Sequence, residues 1–320
     1  MKRPVDRGDL SMLPSVIFVG PTKCGTTWVD SYLRTRSDVV LPTDTKETFF
    51  FDKVFERGKG WYEKQFADRP GIAVEVAPSL FHKPQARSNL AQTLPQARIV
   101  VIYRDPLDRA VSHYFHYRKE GARAMPIREM AEIHPDIVDA GMFHKNAMAW
   151  EELFPGQVSY LRYSDLRQDV RGFCTRLCAT IGIPDTVPPD QALSDRKVNA
   201  ASVPRSAGLA RITRRGAEFA RRVGAHGLVN RLRSTSLKGA VFSGGEDVEA
   251  EREGIRAEVG ALSEALCRDR IAFEKMLDEH LSLPRGRQND GSQIDADVIA
   301  DSRGENPKTI CFKCDDNVSG

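Results

Sequence analysis

The stretch SVIFVGPTKCGTTWVDSYLRT, near the start of the chain, constrains the fold more than any other part of the sequence. Its apolar residues 16–19 predict a buried strand, residues 20–25 a tight loop, and Thr26 the start of a helix. This order directs unpaired backbone N–H groups and the positive end of the helix dipole toward one place, where a phosphate binds well. Lys23 adds a cation and Thr27 a further hydroxyl donor. The stretch therefore predicts an anion site at the end of a buried strand.

The loop nearly matches the phosphate-binding pattern of nucleoside triphosphatases, but its lysine is displaced. Thr26 stands where that pattern has lysine, and Lys23 lies inside the loop. A P-loop kinase also needs a carboxylate at the end of a neighbouring strand to hold magnesium. The next apolar strand, RIVVIY, is followed by Arg104 and then Asp105, so a cation comes first. We therefore expect no metal site, with an ATP-dependent small-molecule kinase or an ordinary strand–loop–helix turn as the alternatives.

Strands and helices alternate along the first two-thirds of the chain. Strands are predicted at residues 16–19, 39–41, 72–81, 98–103 and 157–166, with helical sequence between them, including 84–94, 125–155 and 170–183. The pattern predicts an α/β fold with a P-loop-like, mostly parallel sheet flanked by helices, followed by a helical C-terminal part.

The 320-residue chain is predicted to hold one folded domain. The expected divisions are a flexible leader at 1–13, the folded domain at 14–285 with its α/β core to about residue 200, basic and closing helices at 205–285, and a disordered tail at 286–320. The closing helix is expected to bury apolar residues from Ile255 to Leu277 against the core.

Composition and termini limit the location and the partners. A net charge of +3 does not by itself argue for nucleic acid. No apolar run approaches the roughly 18 residues of a membrane span, and the N-terminal MKRPVDRGDL lacks the apolar centre of a signal peptide. We therefore expect a cytoplasmic protein, and the six scattered cysteines fit reduced thiols.

Residues 205–238 form a basic segment with nine Lys and Arg residues against one acid, Glu218. Such a segment can face an anionic substrate, a membrane surface or the mouth of a cofactor site, and a solvated arginine face is an equal alternative. Cys311 and Cys314 in the tail have no second cysteine pair nearby, so we expect no zinc site there.

A second group of polar residues follows the strand at 98–103. Arg104 leaves the carboxyl end of that strand and Ser112 follows on a predicted helix. Ligands of parallel sheets bind beyond the carboxyl ends of the strands, so Arg104 should emerge beside the anion loop and form a second phosphate clamp with the Ser112 hydroxyl. The alternative is an arginine paired with a nearby aspartate. His113 and His116 are expected on the helix surface or in the core, with contact to the substrate as the alternative.

Two carboxylates fall in apolar surroundings. Glu47 precedes three phenylalanines, at residues 49–51, and poor solvation there should raise its pKa and suit a general base. A solvated loop glutamate is the alternative. Glu75 interrupts an apolar strand, and we expect it to be paired because an unpaired buried carboxylate is costly.

Residues 14–183 resemble the sulfotransferases that use 3′-phosphoadenosine 5′-phosphosulfate (PAPS), and in spacing they are most similar to the branch that contains heparan sulfate sulfotransferases and many bacterial homologues. PTKCGTTW resembles the family's 5′-phosphosulfate loop and VVIYRDPLDRAVSHY its 3′-phosphate motif. KETFFFD followed by GKGWY is similar to the segment with the catalytic glutamate, which falls on Glu47. VEVAP resembles a strand that usually carries lysine after its glutamate, where this chain has Val76.

The resemblance implies an enzyme that moves the sulfuryl group of PAPS to an acceptor hydroxyl by in-line displacement. Glu47 is the implied base, and Lys23 neutralises the leaving phosphate. The acceptor implied is a carbohydrate, a glycolipid or another natural product, with neither nucleic acid nor metal involved. The implied cofactor-binding residues are Lys23, Cys24, Gly25, Thr26, Thr27, Trp28, Arg104, Ser112 and, from KVNAASVPR, Arg205. A non-catalytic protein that binds an anionic ligand through residues 205–238 remains an alternative, and the sequence fixes neither the acceptor nor the oligomeric state.

Overall fold

The core of the protein is a five-stranded parallel sheet. The structure, a computed structural model, describes residues 13–186, 203–204, 242–243, 246–262 and 264–282, all of which lie in one compact unit. The strands are β1 (Val16–Gly20), β2 (Val39–Val40), β3 (Ile72–Val76), β4 (Arg98–Tyr103) and β5 (Val158–Arg162). Their order is β2-β3-β1-β4-β5, and every neighbouring pair is parallel. The predicted α/β sheet is confirmed.

Helices flank this sheet. They are α1 (Thr26–Leu33), α2 (Phe50–Lys53), α3 (Lys59–Glu63), α4 (Pro84–Thr93), α5 (Pro106–Lys119), α6 (Ile127–Ile133), α7 (Asp136–Asp139), α8 (Phe143–Leu153), α9 (Tyr163–Gln168), α10 (Val170–Ile181), α11 (Glu246–Leu262) and α12 (Glu264–Ser282). The short strands β6 (Val203–Pro204) and β7 (Phe242–Ser243) pair in antiparallel fashion. Among the described helices, none is long and apolar enough to cross a membrane.

The central strand β1 positions the functional site. It pairs with β3 on one side and with β4 on the other, and the chain completes the β3 side before it crosses to the β4 side. Such a switch point opens a crevice at the carboxyl ends of the two strands. Gly20 ends β1 with a φ of 106°, and a Cβ atom there would lie 2.7 Å from the Cα of Pro78. Only glycine fits this close approach.

Several predicted boundaries were wrong, each for a local reason. The strand predicted over 72–81 ends at Val76, shortly before Pro78, which cannot donate to a sheet. The strand predicted over 157–166 ends at Arg162, where α9 begins. The helix predicted over 125–155 is three helices, and the first break falls where Pro135 disfavours helical geometry at His134. The closing helix is two consecutive helices, α11 and α12, whose Ile255, Phe273 and Leu277 are buried as predicted.

Some predictions fall outside the described residues. They concern the leader, the basic segment 205–238 with Arg205, and the tail with Cys311 and Cys314. These stay predictions.

Candidate functional site

The loop between β1 and α1 has the backbone geometry of an anion cradle. Lys23 and Gly25 both lie in the left-handed region, with φ of 76° and 84°. Trp28 and Val29 donate their N–H groups to the carbonyl of Gly25, which starts α1. Within the part of the chain that the structure describes, no acceptor is assigned to the backbone N–H groups of residues 23–27. These groups are therefore available to a phosphate.

Cations surround this loop. Lys23 is half-buried, and desolvation together with the charge of Arg104 lowers its pKa to about 8. Lys46 places its Nζ 3.2 Å from the hydroxyl of Thr27 and 3.4 Å from that of Thr26, and burial lowers its pKa as well. A bound anion would favour the charged forms of both lysines and so raise their depressed pKa values. Lys46 is a candidate that the sequence did not single out, although it precedes Glu47 directly.

Arg104 lies beside the loop, as predicted. Its Nη1 donates to the carbonyl of Lys23 at 2.8 Å, and its guanidinium stacks over the Tyr163 ring, 4.7 Å from the centroid. A Cβ atom on Gly25 would meet that ring at 3.0 Å, so a glycine is needed for the contact. Arginine held flat against an aromatic ring keeps its remaining donors oriented for a phosphate.

The two aspartates that follow Arg104 at the start of α5 have other partners in the described part of the chain. Asp105 caps α5 through the N–H of Asp108 at 2.9 Å and forms an ion pair with Arg270 at 3.0 Å. Asp108 pairs with Arg256. Ser112 is half-buried on α5, two turns beyond the start of that helix.

A cleft of about 320 Å³ adjoins the loop. The residues that line it include Thr22 of the loop, Glu47, Ser79, His113, His116 and Asp136. The cleft therefore brings the predicted base to the same space as the anion loop.

Glu47 is a partly buried carboxyl group with a raised pKa. Its Oε1 accepts hydrogen bonds from the N–H of Ser79, at 3.1 Å, and from the Ser79 hydroxyl. Burial raises the pKa of Glu47 to about 7, against the opposing effect of these hydrogen bonds. The predicted rise is confirmed, and the alternative of a solvated loop glutamate does not hold. At neutral pH a substantial fraction of the carboxyl is ionised and can accept a proton.

Glu75 is paired, as predicted. It is 0% exposed, and it accepts from the N–H of Thr48 at 2.8 Å, from the Thr48 hydroxyl at 2.6 Å and from the hydroxyl of Tyr62. Because Thr48 follows Glu47 directly, these bonds fix the backbone beside the cleft.

His113 is buried, as one of the two expectations had it, and both histidines lie at the site. His113 and His116 both line the cleft, and burial lowers their pKa values to about 2 and about 4. Arg109, on the same helix, was missed altogether, although it is 0% exposed and contacts both the loop and His113. The sequence signal for it is its spacing, since Arg109 and His113 fall one helical turn apart on the apolar side of α5.

Two predicted cofactor residues have buried side chains. Burial raises the pKa of the Cys24 thiol to about 12, so that thiol stays protonated. The indole of Trp28 is 4% exposed and packs against Tyr32 and Phe173, with ring centroids 5.5 and 5.8 Å away. Both side chains have a packing role, and any contact with a cofactor through their backbones stays a prediction.

Across the described ranges, no three His, Cys, Asp or Glu side chains are grouped as metal ligands.

Comparison with known proteins identifies the family of this fold. A family model described as the sulfotransferase domain matches residues 13–206. The chain is 31% identical to membrane-associated sulfotransferase kil1 of Dictyostelium discoideum over 116 residues, which cover 35% of this chain and 24% of that protein. It is 25% identical to heparan sulfate glucosamine 3-O-sulfotransferase 3B1 of Mus musculus over 183 residues, 53% of this chain and 46% of that one. The matches span less than half the length of both relatives.

The fold is also that of a solved sulfotransferase. The crystal structure of a sulfotransferase from Alicyclobacillus acidocaldarius superposes with a TM-score of 0.50 at 20% identity, over 68% of this chain and 96% of that one.

Proposed function

Because the chain belongs to the sulfotransferase domain family, we propose that it transfers the sulfuryl group of PAPS to an acceptor hydroxyl, with Glu47 as general base. One observation carries the proposal. The cleft that Glu47 lines also contains Thr22 of the anion loop, so a base with a pKa of about 7 shares a space with a phosphate cradle. A reaction that joins an anionic donor to a proton-bearing nucleophile requires this arrangement.

The donor substrate would be held at its two separated phosphate groups. The backbone N–H groups of the loop, Lys23 and Lys46 would hold the phosphosulfate end. Arg104 and Ser112 would hold the 3′-phosphate. Arg104 supports this division because it is fixed beside the loop and neither neighbouring aspartate neutralises it.

The residues can then divide the chemistry. As the acceptor oxygen bonds to sulfur and the bond from sulfur to the 5′-phosphate oxygen breaks, Glu47 takes the proton of the acceptor hydroxyl. Lys23 and the loop N–H groups neutralise the charge that grows on the departing adenosine 3′,5′-bisphosphate (PAP). The cations of the loop supply charge neutralisation, so the proposed reaction proceeds without a metal ion.

The acceptor is proposed to be a hydroxyl of a carbohydrate, a glycolipid or another natural product. The resemblance of KETFFFD and GKGWY to glycan-modifying relatives supports this class. The polar walls of the cleft, which include Ser79, His116 and Asp136, suit a ligand rich in hydroxyl groups.

Calorimetry with nucleotides tests the donor site. We expect PAP to bind more tightly than adenosine 5′-monophosphate, because only PAP carries the 3′-phosphate. Arg104→Ala should weaken the binding of PAP by about 2 to 4 kcal/mol and leave adenosine 5′-monophosphate unchanged. Arg128→Ala, an exposed arginine on α6, serves as the matched control. Equal affinity of the wild type for the two nucleotides would remove the assignment of this site.

The alternative activities give different results in turnover assays. EDTA should leave the consumption of PAPS unchanged, whereas an ATP-dependent kinase would stop and recover with magnesium. A non-catalytic binding protein would bind PAP but turn over PAPS with no member of an acceptor panel.

A further inference from the structure

Arg109 and His113 form a buried pair on α5 that the proposed reaction has not yet used. Arg109 is 0% exposed, and its Nη1 lies 3.1 Å from Nδ1 of His113 and 3.5 Å from the carbonyl oxygen of Thr22. Its Nη2 donates to the carbonyls of Asp136, at 3.2 Å, and Ile137. The guanidinium thus ties the anion loop to the start of α7 and to the imidazole.

This contact fixes the tautomer of His113. Burial lowers the pKa of Arg109 only to about 10, so the guanidinium stays charged at neutral pH and can only donate. Nδ1 of His113 must therefore be the unprotonated nitrogen, and the ring proton lies on Nε2. A ring turned by 180° would present a C–H group to the guanidinium and lose the bond.

The protonated Nε2 has no normal hydrogen-bond partner among the described residues. The nearest carboxylate oxygen, Oδ2 of Asp136, is 3.6 Å away, beyond hydrogen-bond range. Both oxygens of Asp136 instead lie 2.7 to 2.8 Å from the hydroxyl of Tyr117. His113 is 2% exposed and lines the cleft that Thr22 and Glu47 also line, so the cleft is where its Nε2–H can find an acceptor.

His113 is a poor base but a good neutral donor. Burial and the charge of Arg109 lower its pKa to about 2, which keeps the ring uncharged. Its lone pair at Nδ1 is engaged by Arg109. A neutral N–H also cannot pass its proton to Glu47 in the way an imidazolium could, so the base stays ready for the acceptor.

We propose that His113 is a catalytic residue whose Nε2–H holds an oxygen of the sulfuryl group as that group crosses the cleft. Arg109 is the positioning residue that fixes the tautomer and couples it to the loop through Thr22. The inference rests on the proposed sulfuryl transfer. It adds a hydrogen-bond donor to the sulfuryl group, whose charge distribution changes in the transition state, and preorganised donors contribute most there.

Two substitutions test the roles of Nδ1 and Nε2 of His113 one at a time. His113→Asn keeps an acceptor near the position of Nδ1, for Arg109, but removes the donor from the cleft. His113→Gln returns an amide N–H to the position of Nε2 but leaves Arg109 without its acceptor. The probes are PAP, which lacks the sulfuryl group, and PAPS, whose slow hydrolysis to PAP and sulfate needs no identified acceptor.

We expect His113→Asn to melt near the wild-type temperature and to bind PAP as the wild type does. It should hydrolyse PAPS about 10- to 100-fold more slowly, because one donor to the moving group is lost. His113→Gln should recover much of that rate while melting at a lower temperature. Wild-type hydrolysis in His113→Asn would overturn the proposed contact, because a purely structural histidine predicts that result.

A measurement on the unmodified protein covers the case in which a variant fails to fold. Nitrogen-15 spectra of the histidine rings should show His113 with Nε2 protonated and Nδ1 unprotonated from about pH 6 to about pH 9. PAPS, but not PAP, should shift its Nε2–H resonance. A protonated Nδ1, or equal shifts with both nucleotides, would overturn the inference. Failure of the wild type to bind either nucleotide would instead refute the proposed function and leave the tautomer result standing.

Discussion

Glu47 and Glu75 are two carboxylates that the fold removes from water, but only one of them borders the cleft. Burial raises the pKa of both. Glu75 is fully buried and accepts three hydrogen bonds, whereas the carboxylate of Glu47 accepts only from Ser79 within the described ranges and lines the cleft. Burial therefore perturbs a carboxylate in both places, but only access to the cleft makes the perturbed group available to a substrate.

The two groups are also linked through one residue. Thr48 donates twice to Glu75 and stands next to Glu47 in the chain. The fully buried carboxylate thus anchors the backbone that presents the accessible one. The comparison predicts that removing Glu47 damages the reaction and removing Glu75 damages the fold.

The largest effect should follow Glu47→Gln. Glutamine keeps the size of the side chain but cannot accept the proton of the acceptor, so the single-turnover rate should fall by roughly 10²- to 10⁴-fold. Calorimetry should show nearly unchanged affinity for PAP, because Glu47 is not among the proposed phosphate-binding residues. Glu56→Gln, an exposed glutamate nearby, is the control. A near-normal chemical step would remove Glu47 from the mechanism.

Glu75→Leu should instead lower the free energy of unfolding by about 3 kcal/mol, because it leaves buried donors of Thr48 and Tyr62 without an acceptor. Glu75→Gln should lose less, since its amide can accept from Thr48 and donate to the Tyr62 oxygen. Denaturant unfolding measures both variants. If Glu75→Leu unfolded like the wild type, the anchoring role of Glu75 would be wrong.

Glu47→Gln should change stability in the opposite direction. The folded state binds the Glu47 proton more tightly than the unfolded chain, because burial raises the pKa from 4.5 to about 7. Stability from this group is present below the unfolded pKa and is lost as pH rises through the folded one. The variant should therefore be more stable than the wild type by about 3 kcal/mol near pH 8 and nearly equal to it near pH 4. A difference that does not depend on pH would contradict the assigned shift.

The smallest effects should separate the partners of the two carboxylates. The hydroxyl of Ser79 lowers the pKa of Glu47, so Ser79→Ala should move the acidic limb of the rate profile upward by about half a pH unit.

Tyr62→Phe should leave that limb in place and lower the free energy of unfolding by about 1 kcal/mol. A shifted rate profile in Tyr62→Phe would show that Glu75, not Glu47, titrates in catalysis.

The parts of the site that the sequence predicted are those built from neighbouring residues. The loop of β1, the position of Arg104 at the end of β4 and the raised pKa of Glu47 each follow from a few adjacent residues and from the rules of parallel sheets. Local sequence determines these features, so they could be predicted without the fold.

The rest depends on contacts between distant residues. Ser79 reaches Glu47 across 32 positions, and Arg109 reaches Thr22 across 87. The separation in the sequence explains why the partners of Glu47, the role of Arg109 and the placement of His113 in the cleft were not predicted. Short-range patterns also misplaced the end of β5, where Tyr163 and Leu166 prolong the strand-like pattern into α9.

The pH dependence of kcat/KM for PAPS tests the central claim most directly, because this constant reports the ionisations of the free protein. The wild-type kcat/KM should rise with pH along an acidic limb whose midpoint is about 7, as Glu47 ionises. It should fall along an alkaline limb whose midpoint is about 8, as Lys23 loses its proton. Glu47→Gln should lose the acidic limb and keep the alkaline one. An acidic limb that survives unchanged in Glu47→Gln would show that another group is the base.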